Sequence, residues 1–308
     1  MKMQDNAPEK LDTRCGFVAL IGAPNAGKST LINQLVGGKV AIVSPKVQTT
    51  RTRVTGIAMR GPAQIVFVDT PGIFNPSKRL DRSMVHAAWE GVKDADVVAL
   101  LIDVSKKNPL AGAQDILEKL KEHDKPIILI LNKIDLVPKD SLLALTAQFN
   151  QAFAFERTFM ISALKNKGVD DLLDYLAAAL PEDVWHYPDD ELTTMPMRLL
   201  AAEITREKLF LKLYQELPYA CTVETEIFDD KDPAKWLVEQ TIYVQRDGQK
   251  AIILGKGGQQ LKEIGMLARK DMQEQFGVPI HLQLFVKVRE NWLDDPERYR
   301  PWGLEYKV

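Results

Sequence analysis

Residues 22–29 read Gly-Ala-Pro-Asn-Ala-Gly-Lys-Ser and directly follow the apolar run 16–21. This stretch fits G-x-x-x-x-G-K-[ST], the loop that joins a strand to a helix and wraps around phosphate groups. Its glycines let consecutive backbone N–H groups point at one anion, and the N-terminus of the next helix adds positive potential. We therefore predict a nucleotide site with contacts from Gly22, Ala23, Pro24, Asn25, Ala26, Gly27, Lys28, Ser29 and Thr30.

Two side chains of this loop have the chemistry that phosphoryl transfer needs. Lys28 carries a positive charge that can reach the β- and γ-phosphates, so we predict that it is a catalytic residue. The Ser29 hydroxyl is a predicted ligand of Mg²⁺.

A second motif, Asp69-Thr70-Pro71-Gly72, follows the apolar run 64–68. Doubly wound sheets bind ligands at the carboxyl ends of their strands, which is where this motif stands. We predict that Asp69 holds Mg²⁺ through water and that the Gly72 N–H contacts the γ-phosphate, which would make Gly72 catalytic. Thr70 and Pro71 are predicted nucleotide contacts. Taken alone, the four residues could also form an ordinary turn.

The region around these motifs alternates strand-like and helix-like segments, as in a mostly parallel sheet with helices on both faces. Near-continuous apolar runs predict strands buried on both faces; they lie at 16–21, 64–68, 97–102, 127–131 and 158–161. Residues 54–59 predict one more strand, at the sheet edge. The predicted fold is an α/β P-loop domain with a doubly wound sheet at 15–182, after a flexible segment at 1–14.

A third motif, Asn132-Lys133-Ile134-Asp135, stands at the end of the run 127–131. Guanine presents N–H donors where adenine has none, so a carboxylate aimed at that edge of the base selects guanine. We predict that Asp135 is this acceptor, that Asn132 braces the loop, and that the Lys133 stem lies along the base. An isolated string of this kind could be a surface turn, but its place after the phosphate loop favours a base reader.

Two shorter segments complete the predicted site. Ser162 and Ala163 follow the last strand, and the Ala163 N–H is predicted to donate to the guanine carbonyl. Residues 48–51 read Gln-Thr-Thr-Arg and are the segment placed to close over the γ-phosphate. There Thr50, favoured over Thr49, is a predicted second Mg²⁺ ligand and catalytic residue. A solvated loop is the alternative.

The composition of the chain changes after residue 180. Residues 181–196 hold three prolines and five acidic residues without an apolar period, which predicts a linker at 183–196. The remaining residues, 197–308, predict the order helix, two strands, two helices, strand. Between the two helices, residues 252–258 read Ile-Ile-Leu-Gly-Lys-Gly-Gly. They resemble the G-x-x-G loop of a type II KH domain, whose glycines let an RNA backbone approach closely.

This loop is the predicted RNA-binding site, with contacts from Ile253, Leu254, Gly255, Lys256, Gly257, Gly258 and Lys262. Between residues 246 and 270 there are six basic residues and two acidic ones, which supports contact with phosphates. A plain turn between helices and a solvated charged face are the alternatives. We expect the aromatic end, 292–306, to pack on the KH domain.

Composition limits the class of protein. The chain has 308 residues, enough for two domains, and a net charge of −2, so any nucleic-acid surface must be local. Cys15 and Cys221 are far apart and fit no metal spacing, which predicts buried thiols of a cytoplasmic protein. Neither a secretory signal nor a run of ~18 apolar residues is present in the sequence. Peripheral contact with the inner membrane is left open.

The motifs GAPNAGKS, QTTR, DTPG, NKID and SAL, in this spacing, resemble the Era family of bacterial GTPases. The likeness runs from about Cys15 to the end of the chain. It implies Mg²⁺-dependent hydrolysis of GTP to GDP, binding of the 3′ end of small-subunit rRNA, and a role in assembly of the small ribosomal subunit. It also implies a cytoplasmic monomer.

The resemblance bears on hydrolysis through two residues. Ras-like enzymes place a water-orienting glutamine just after the DxxG segment, whereas this chain has Ile73. Slow intrinsic turnover is therefore expected. Some relatives use a potassium ion held partly by a P-loop asparagine, and Asn25 matches that position, which makes it a predicted catalytic residue. A hydrogen bond within the loop is its alternative role.

Other functions stay open from the sequence. One is a constitutive RNA-binding protein in which the nucleotide only stabilises the first domain. Another is an ATPase or small-molecule kinase, which NKID disfavours. A third is a different bacterial GTPase, which the single P-loop and the G-x-x-G loop disfavour.

Overall fold

The computed structural model describes residues 12–46, 54–74, 76, 78–292, 295–296, 299 and 303–306. Over these residues the chain forms a six-stranded sheet followed by a three-stranded sheet. The strands of the first sheet are β1 Arg14–Ile21, β2 Val54–Arg60, β3 Ala63–Asp69, β4 Val97–Asp103, β5 Ile127–Asn132 and β6 Arg157–Ile161. The helices around it are α1 Lys28–Val36, α2 Arg79–Asp94, α3 Gln114–Leu120, α4 Lys139–Ala152 and α5 Val169–Ala179.

The strand order is β2-β3-β1-β4-β5-β6, with β2 antiparallel to β3 and the other pairs parallel. Every residue of β3, β4 and β5 is buried, because helices cover both faces of the sheet. Both the predicted fold class and the edge position of β2 are confirmed. Since the parallel strands end at one edge, the loops that carry the predicted motifs meet there.

Residues 183–196, predicted as a linker, lie along the β2 edge. The Ile57 N–H donates to Leu192 O at 2.9 Å. Gln64, which is fully buried, accepts from the backbone N–H groups of His186 and Tyr187 at 2.9 and 3.0 Å. The segment therefore covers an edge that would otherwise expose unpaired backbone groups. The predicted domain boundaries themselves stay a prediction.

The second sheet belongs to an α+β domain. Its elements are α6 Met197–Lys212, β7 Cys221–Asp229, β8 Trp236–Val244, α7 Asp247–Leu254, α8 Gln259–Phe276 and β9 Ile280–Val288. This is the predicted order, with β8 antiparallel to β7 and parallel to β9. Helix α6 ends at Lys212. Gln215 has a positive φ of 55°, and a separate short turn begins at Leu217, where Pro218 has no backbone N–H to donate.

The C-terminal segment differs from its prediction. Trp292 packs on the second domain as expected, since it is buried and its Nε1 donates to Ala220 O at 3.1 Å. Tyr299 and Leu304 instead pack against Leu80 and Met84 of α2, in the first domain. Part of the tail therefore binds the nucleotide domain, and the expectation that all of it packs on the KH domain is wrong.

A four-charge network joins the two domains. Lys39, after α1, contacts Glu207 at 2.7 Å and Asp271 at 3.0 Å, while Lys208 contacts both of these acids. Burial raises the pKa of Glu207, but hydrogen bonds from Lys208 and Lys39 outweigh it and hold the pKa below its ordinary value. The pKa of Asp271 is lowered in the same way. The network therefore stabilises the folded chain above the ordinary carboxylate pKa values and weakens as the pH falls.

We expect Glu207→Gln to lower the free energy of unfolding by about 1.5–3 kcal/mol at pH 7, the usual value for a charged hydrogen bond. Urea denaturation at pH 7 and at pH 3 measures this. The difference should shrink at pH 3, below the ordinary Glu pKa of 4.5. Glu118→Gln is the control, because its pair with Lys121 is exposed and should contribute less than ~1 kcal/mol. Equal losses from both variants would contradict the expectation.

Candidate functional site

The phosphate loop lies tightly against the ends of two strands. A Cβ at Gly22, where φ is 151°, would lie 2.3 Å from Leu101 O. A Cβ at Gly27, where φ is 103°, would lie 2.3 Å from Asn132 Nδ2. Only glycine fits at both positions, because either Cβ would overlap a neighbouring atom. The loop backbone therefore lies in direct contact with the ends of β4 and β5.

Lys28 opens α1 and lies inside this loop. Its Nζ donates to Gly22 O at 3.0 Å and to Ala23 O at 3.1 Å. Burial lowers the pKa of Lys28 to about 8, against the opposing attraction of Asp69. A phosphate group would supply the negative charge that this buried ammonium needs.

Ser29 and Asp69 meet next to the loop. The Ser29 Oγ donates to Asp69 Oδ2 at 3.0 Å, and Asp69 is fully buried at the end of β3. Oxygen donors of this kind suit Mg²⁺, which usually keeps one or two carboxylates and the substrate phosphates as ligands. Among the described residues, no cluster of three or more His, Cys, Asp or Glu could hold a metal. The Ser29 hydroxyl and the Asp69 carboxylate are donors that fit Mg²⁺ shared with substrate phosphates.

The Asp-Thr-Pro-Gly segment packs on the phosphate loop. A Cβ at Gly72 would lie 2.8 Å from both the Cα and N atoms of Pro24, and the Ile73 N–H donates to Gly22 O at 3.0 Å. Thr70 Oγ1 donates to Leu20 O at 2.9 Å. These contacts hold the segment against the phosphate loop, and Ile73, an aliphatic residue, offers no group that orients water.

Asn132 connects the predicted base loop to the phosphate loop. Its Nδ2 donates to Ala26 O at 2.8 Å, and its Oδ1 accepts from the Ala163 N–H at 3.0 Å. The predicted bracing role matches this geometry. The Ala163 N–H is already used here, so its donation to a guanine carbonyl stays a prediction that needs a shared or redirected bond.

Asp135 is exposed at the mouth of the site, next to buried Ser162. A hydrogen bond from the Ser162 side chain is the main cause that lowers the Asp135 pKa. The carboxylate is therefore ionised at neutral pH and accepts hydrogen bonds only. Lys133 has a left-handed backbone, with φ of 68°, and its Nζ reaches Asn25 O at 2.8 Å.

These elements enclose a cavity of about 450 Å³. The predicted residues that line it are Pro24, Asn25, Gly27, Lys28, Ser29, Thr30, Gly72, Asn132, Lys133, Asp135, Ser162 and Ala163. Gly22, Ala23, Ala26, Asp69, Thr70 and Pro71 do not line it. The prediction missed Ile42, Val43, Ser44, Pro45, Lys106, Leu136 and Leu164. Proximity to the Gln-Thr-Thr-Arg segment is the signal that could have found residues 42–45.

Thr50 lies outside the described residues, as do Gln48, Thr49 and Arg51. The chain just before them is held at the site, since Asn25 Nδ2 donates to Pro45 O at 2.8 Å. This bond leaves the phosphate loop, because Pro45 lies outside residues 22–29, so it differs from the hydrogen bond within the loop that was the alternative role of Asn25.

In the second domain, the G-x-x-G loop connects α7 to α8. Gly255, Gly257 and Gly258 all have positive φ, between 62° and 78°, and a Cβ at Gly257 or Gly258 would meet no atom within 4 Å. Lys256 and Lys262 are exposed. The loop backbone is therefore open to a ligand.

The predicted RNA contact of the Ile253 side chain is wrong. Its side chain is completely buried in the core of the second domain, while its neighbour Ile252 is 56% exposed. Helix α7 turns Ile253 inward, so its side chain is not available to RNA. Leu254 is only partly buried.

Taken together, a phosphate loop, a carboxylate base reader and a KH domain define a P-loop GTPase with an RNA-binding module. A family model described as a 50S ribosome-binding GTPase matches residues 17–133, and a KH-domain model matches residues 216–293.

Relatives of known identity match nearly the full chain. GTPase Era of Rhizobium meliloti is 59% identical over 98% of this chain and 96% of its own length. GTPase Era of Agrobacterium fabrum is 58% identical over 98% and 94%. The crystal structure of Era with MgGDPNP and nucleotides 1506–1542 of 16S ribosomal RNA superposes with a TM-score of 0.89 at 39% identity, covering 96% of this chain and all of that one. An Aquifex aeolicus Era variant bound to GDP and AlF4⁻ gives 0.87 at 38%, with the same coverage.

The chain belongs to the Era family of GTPases. Its activity is the hydrolysis of GTP to GDP and phosphate.

Replacing Asp135 with asparagine should move the preference from guanine toward xanthine nucleotides. The carboxylate accepts from the N–H groups of guanine, whereas xanthine carries a carbonyl that the new amide can donate to. We expect GTP affinity to fall by about ten- to a hundredfold, because a hydrogen bond to a charged group contributes about 1.5–3 kcal/mol. Titration with GTP and XTP measures this, with Asp140→Asn, an exposed acid on α4, as control. Unchanged GTP affinity would exclude Asp135 as the base reader.

Proposed function

We propose that this chain is a GTP-controlled switch that binds the 3′ end of small-subunit rRNA through its KH domain and acts in assembly of the small ribosomal subunit. The observation that carries the RNA assignment is the open G-x-x-G loop with exposed Lys256, in a fold that superposes on Era bound to a 16S rRNA fragment. The description of the broader GTPase family names the 50S subunit, but the RNA of the matching Era structure is 16S rRNA.

The geometry around the loop supports single-stranded RNA as the ligand. A Cβ at Gly265 of α8 would lie 3.3 Å from Leu284 of β9, so the helix and the edge strand pack closely below the loop. A glycine loop with an open backbone, joined to a helix that packs on an edge strand, is suited to clamp a single-stranded backbone.

In the nucleotide domain, we assign the phosphates to residues 22–30, the guanine base to Asn132, Lys133, Asp135, Ser162 and Ala163, and Mg²⁺ to Ser29, Thr50 and Asp69. The Mg²⁺ ion would neutralise charge on the β- and γ-phosphates. Lys28 adds a second positive charge, and Gly72 supplies an N–H to the γ-phosphate. Because Ile73 cannot orient water, intrinsic hydrolysis is slow.

The cellular setting follows from the ligand. We place the chain in the cytoplasm as a monomer whose partner is the small ribosomal subunit. Peripheral contact with the inner membrane is compatible with this placement. Within the described ranges, no helix has the length and apolar character needed to cross a bilayer.

The RNA assignment predicts the effect of a double change in the loop. Lys256→Asp with Gly257→Asp puts negative charge and bulk where the RNA backbone passes, so RNA affinity should fall by about 1–3 kcal/mol or more. Binding of an oligonucleotide from the 16S 3′ end measures this. GTP affinity measured without RNA should not change, because neither Lys256 nor Gly257 lines the nucleotide cavity.

The control for that experiment is Lys231→Asp with Ala234→Asp, in the exposed loop between β7 and β8. Unchanged RNA affinity in the loop variant would exclude the G-x-x-G loop as the RNA-binding site. Lost GTP affinity would reveal an additional contact between the domains.

We also propose that a potassium ion held by Asn25 supplies positive charge to the site. This charge would partly compensate for the water-orienting side chain that Ile73 does not provide. Asn25 already lines the cavity, and its amide nitrogen is used by Pro45 O, so its oxygen is the side-chain group left for a cation. Turnover should be faster in KCl than in NaCl at equal ionic strength, and Asn25→Ala should remove the difference. Equal rates in the two salts would contradict the proposal.

A further inference from the structure

Asp103 lies at the edge of the nucleotide site but belongs to none of the sequence motifs. It is the last residue of β4, and in the sheet register it is the partner of Asn132 at the end of β5. Its side chain is 7% exposed and does not line the nucleotide cavity. A buried carboxylate at this position needs partners that compensate its charge.

Both oxygens of this carboxylate are held. Oδ1 accepts from the Ser105 N–H at 3.0 Å and from Ser105 Oγ at 2.6 Å. Oδ2 accepts from Lys133 Nζ at 2.7 Å. Burial raises the pKa of Asp103, but the bonds from Lys133 and Ser105 outweigh it and leave the pKa below its ordinary value. The acid is therefore a fixed negative charge at neutral pH.

Lys133 connects Asp103 to the phosphate loop. The same Nζ donates to Asn25 O at 2.8 Å, and Asn25 Nδ2 donates to Pro45 O at 2.8 Å. Both Lys133 and Asn25 have left-handed backbones, with φ of 68° and 63°. Asparagine adopts this conformation readily, but lysine seldom does, so the backbone of Lys133 is held there by its surroundings. The contact with Asp103 is thus one of the interactions that keep the base loop and the phosphate loop joined.

We propose that Asp103 is a positioning residue of the guanine-nucleotide site, because its carboxylate holds the Lys133 ammonium against the phosphate loop. Asp103 acts through Lys133 and does not touch the nucleotide. It sets how long GDP and GTP stay bound, and the chemical step depends on other groups.

The test is the dissociation rate of a fluorescent GDP analogue from the full-length chain, chased with unlabelled GDP. Asp103→Ala should raise this rate on the order of tenfold, the value of one charge-assisted hydrogen bond. The turnover number at saturating GTP should change by less than about twofold, while KM rises. Asp103→Asn keeps an oxygen for Lys133 without the charge, so its rate should be intermediate.

A double-mutant cycle separates positioning from general destabilisation. Lys133→Met should also speed GDP release, and adding Asp103→Ala to it should have little further effect, because the partner is already gone. Asp96→Ala is the matched control: this carboxylate accepts from the Phe17 N–H at 2.7 Å next to the opposite end of β4. It should lower the melting temperature and leave the release rate within about twofold.

Two results would overturn the proposal: an unchanged release rate in folded Asp103→Ala, or full additivity with Lys133→Met. If Asp103→Ala fails to fold, Asp103→Asn decides the question. Its faster release must disappear in the Lys133→Met background, and an increase that persists there contradicts the proposal.

Discussion

The close approach of the phosphate-loop backbone to the strand ends controls the geometry of the nucleotide site. A side chain at Gly22 would overlap Leu101 O, one at Gly27 would overlap Asn132 Nδ2, and one at Gly72 would overlap Pro24. Hydrogen bonds from Asn132 to Ala26 and from Ala163 to Asn132 close the same space. These contacts fix the spacing between the phosphate loop, the base loop and the strand ends that carry them.

One wall of the cavity is also held by the KH domain. Val43 and Pro45 line the cavity. The Val43 N–H donates to Glu207 at 2.9 Å, and Lys46 Nζ donates to the carbonyls of Phe210 and Leu213 at the end of α6. A cation at a helix C-terminus is favoured by the orientation of the peptide dipoles. Residues 43–46 therefore contact both the nucleotide cavity and the RNA-binding domain.

A second contact joins the domains at α2, which follows the Asp-Thr-Pro-Gly segment. Tyr299 and Leu304 pack on Leu80 and Met84, and Arg79 donates to Tyr306 and lies over its ring. Residues 43–46 and helix α2, which follows the Asp-Thr-Pro-Gly segment, therefore both touch the C-terminal half of the chain. Energetic coupling between two sites requires contacts of this kind that differ between states.

The sequence predicted the strands well, because a sheet buried on both faces needs continuous apolar runs such as 97–102. The motifs on the strand ends were also predictable, since parallel strands bring their carboxyl ends together. Asp103 could not be found in this way, because its role depends on a lysine in another loop and on the register between β4 and β5. Ile253 was predicted to contact RNA but is buried, because a motif does not show which face of a helix packs on the core. Tyr299 was predicted to pack on the KH domain, because the sequence does not show which domain the C-terminal segment contacts.

We infer that the nucleotide state changes the affinity of the KH domain for RNA. It is tested most directly by the affinity of the chain for RNA of the sequence 1506–1542 of 16S rRNA, the fragment bound by Era in the matching crystal structure. The affinity is measured with GDPNP, with GDP and without nucleotide, at one salt concentration. The account predicts binding about tenfold tighter with GDPNP than with GDP, a coupling of ~1.4 kcal/mol. Equal affinity in all three states would contradict it and would favour a constitutive RNA-binding protein.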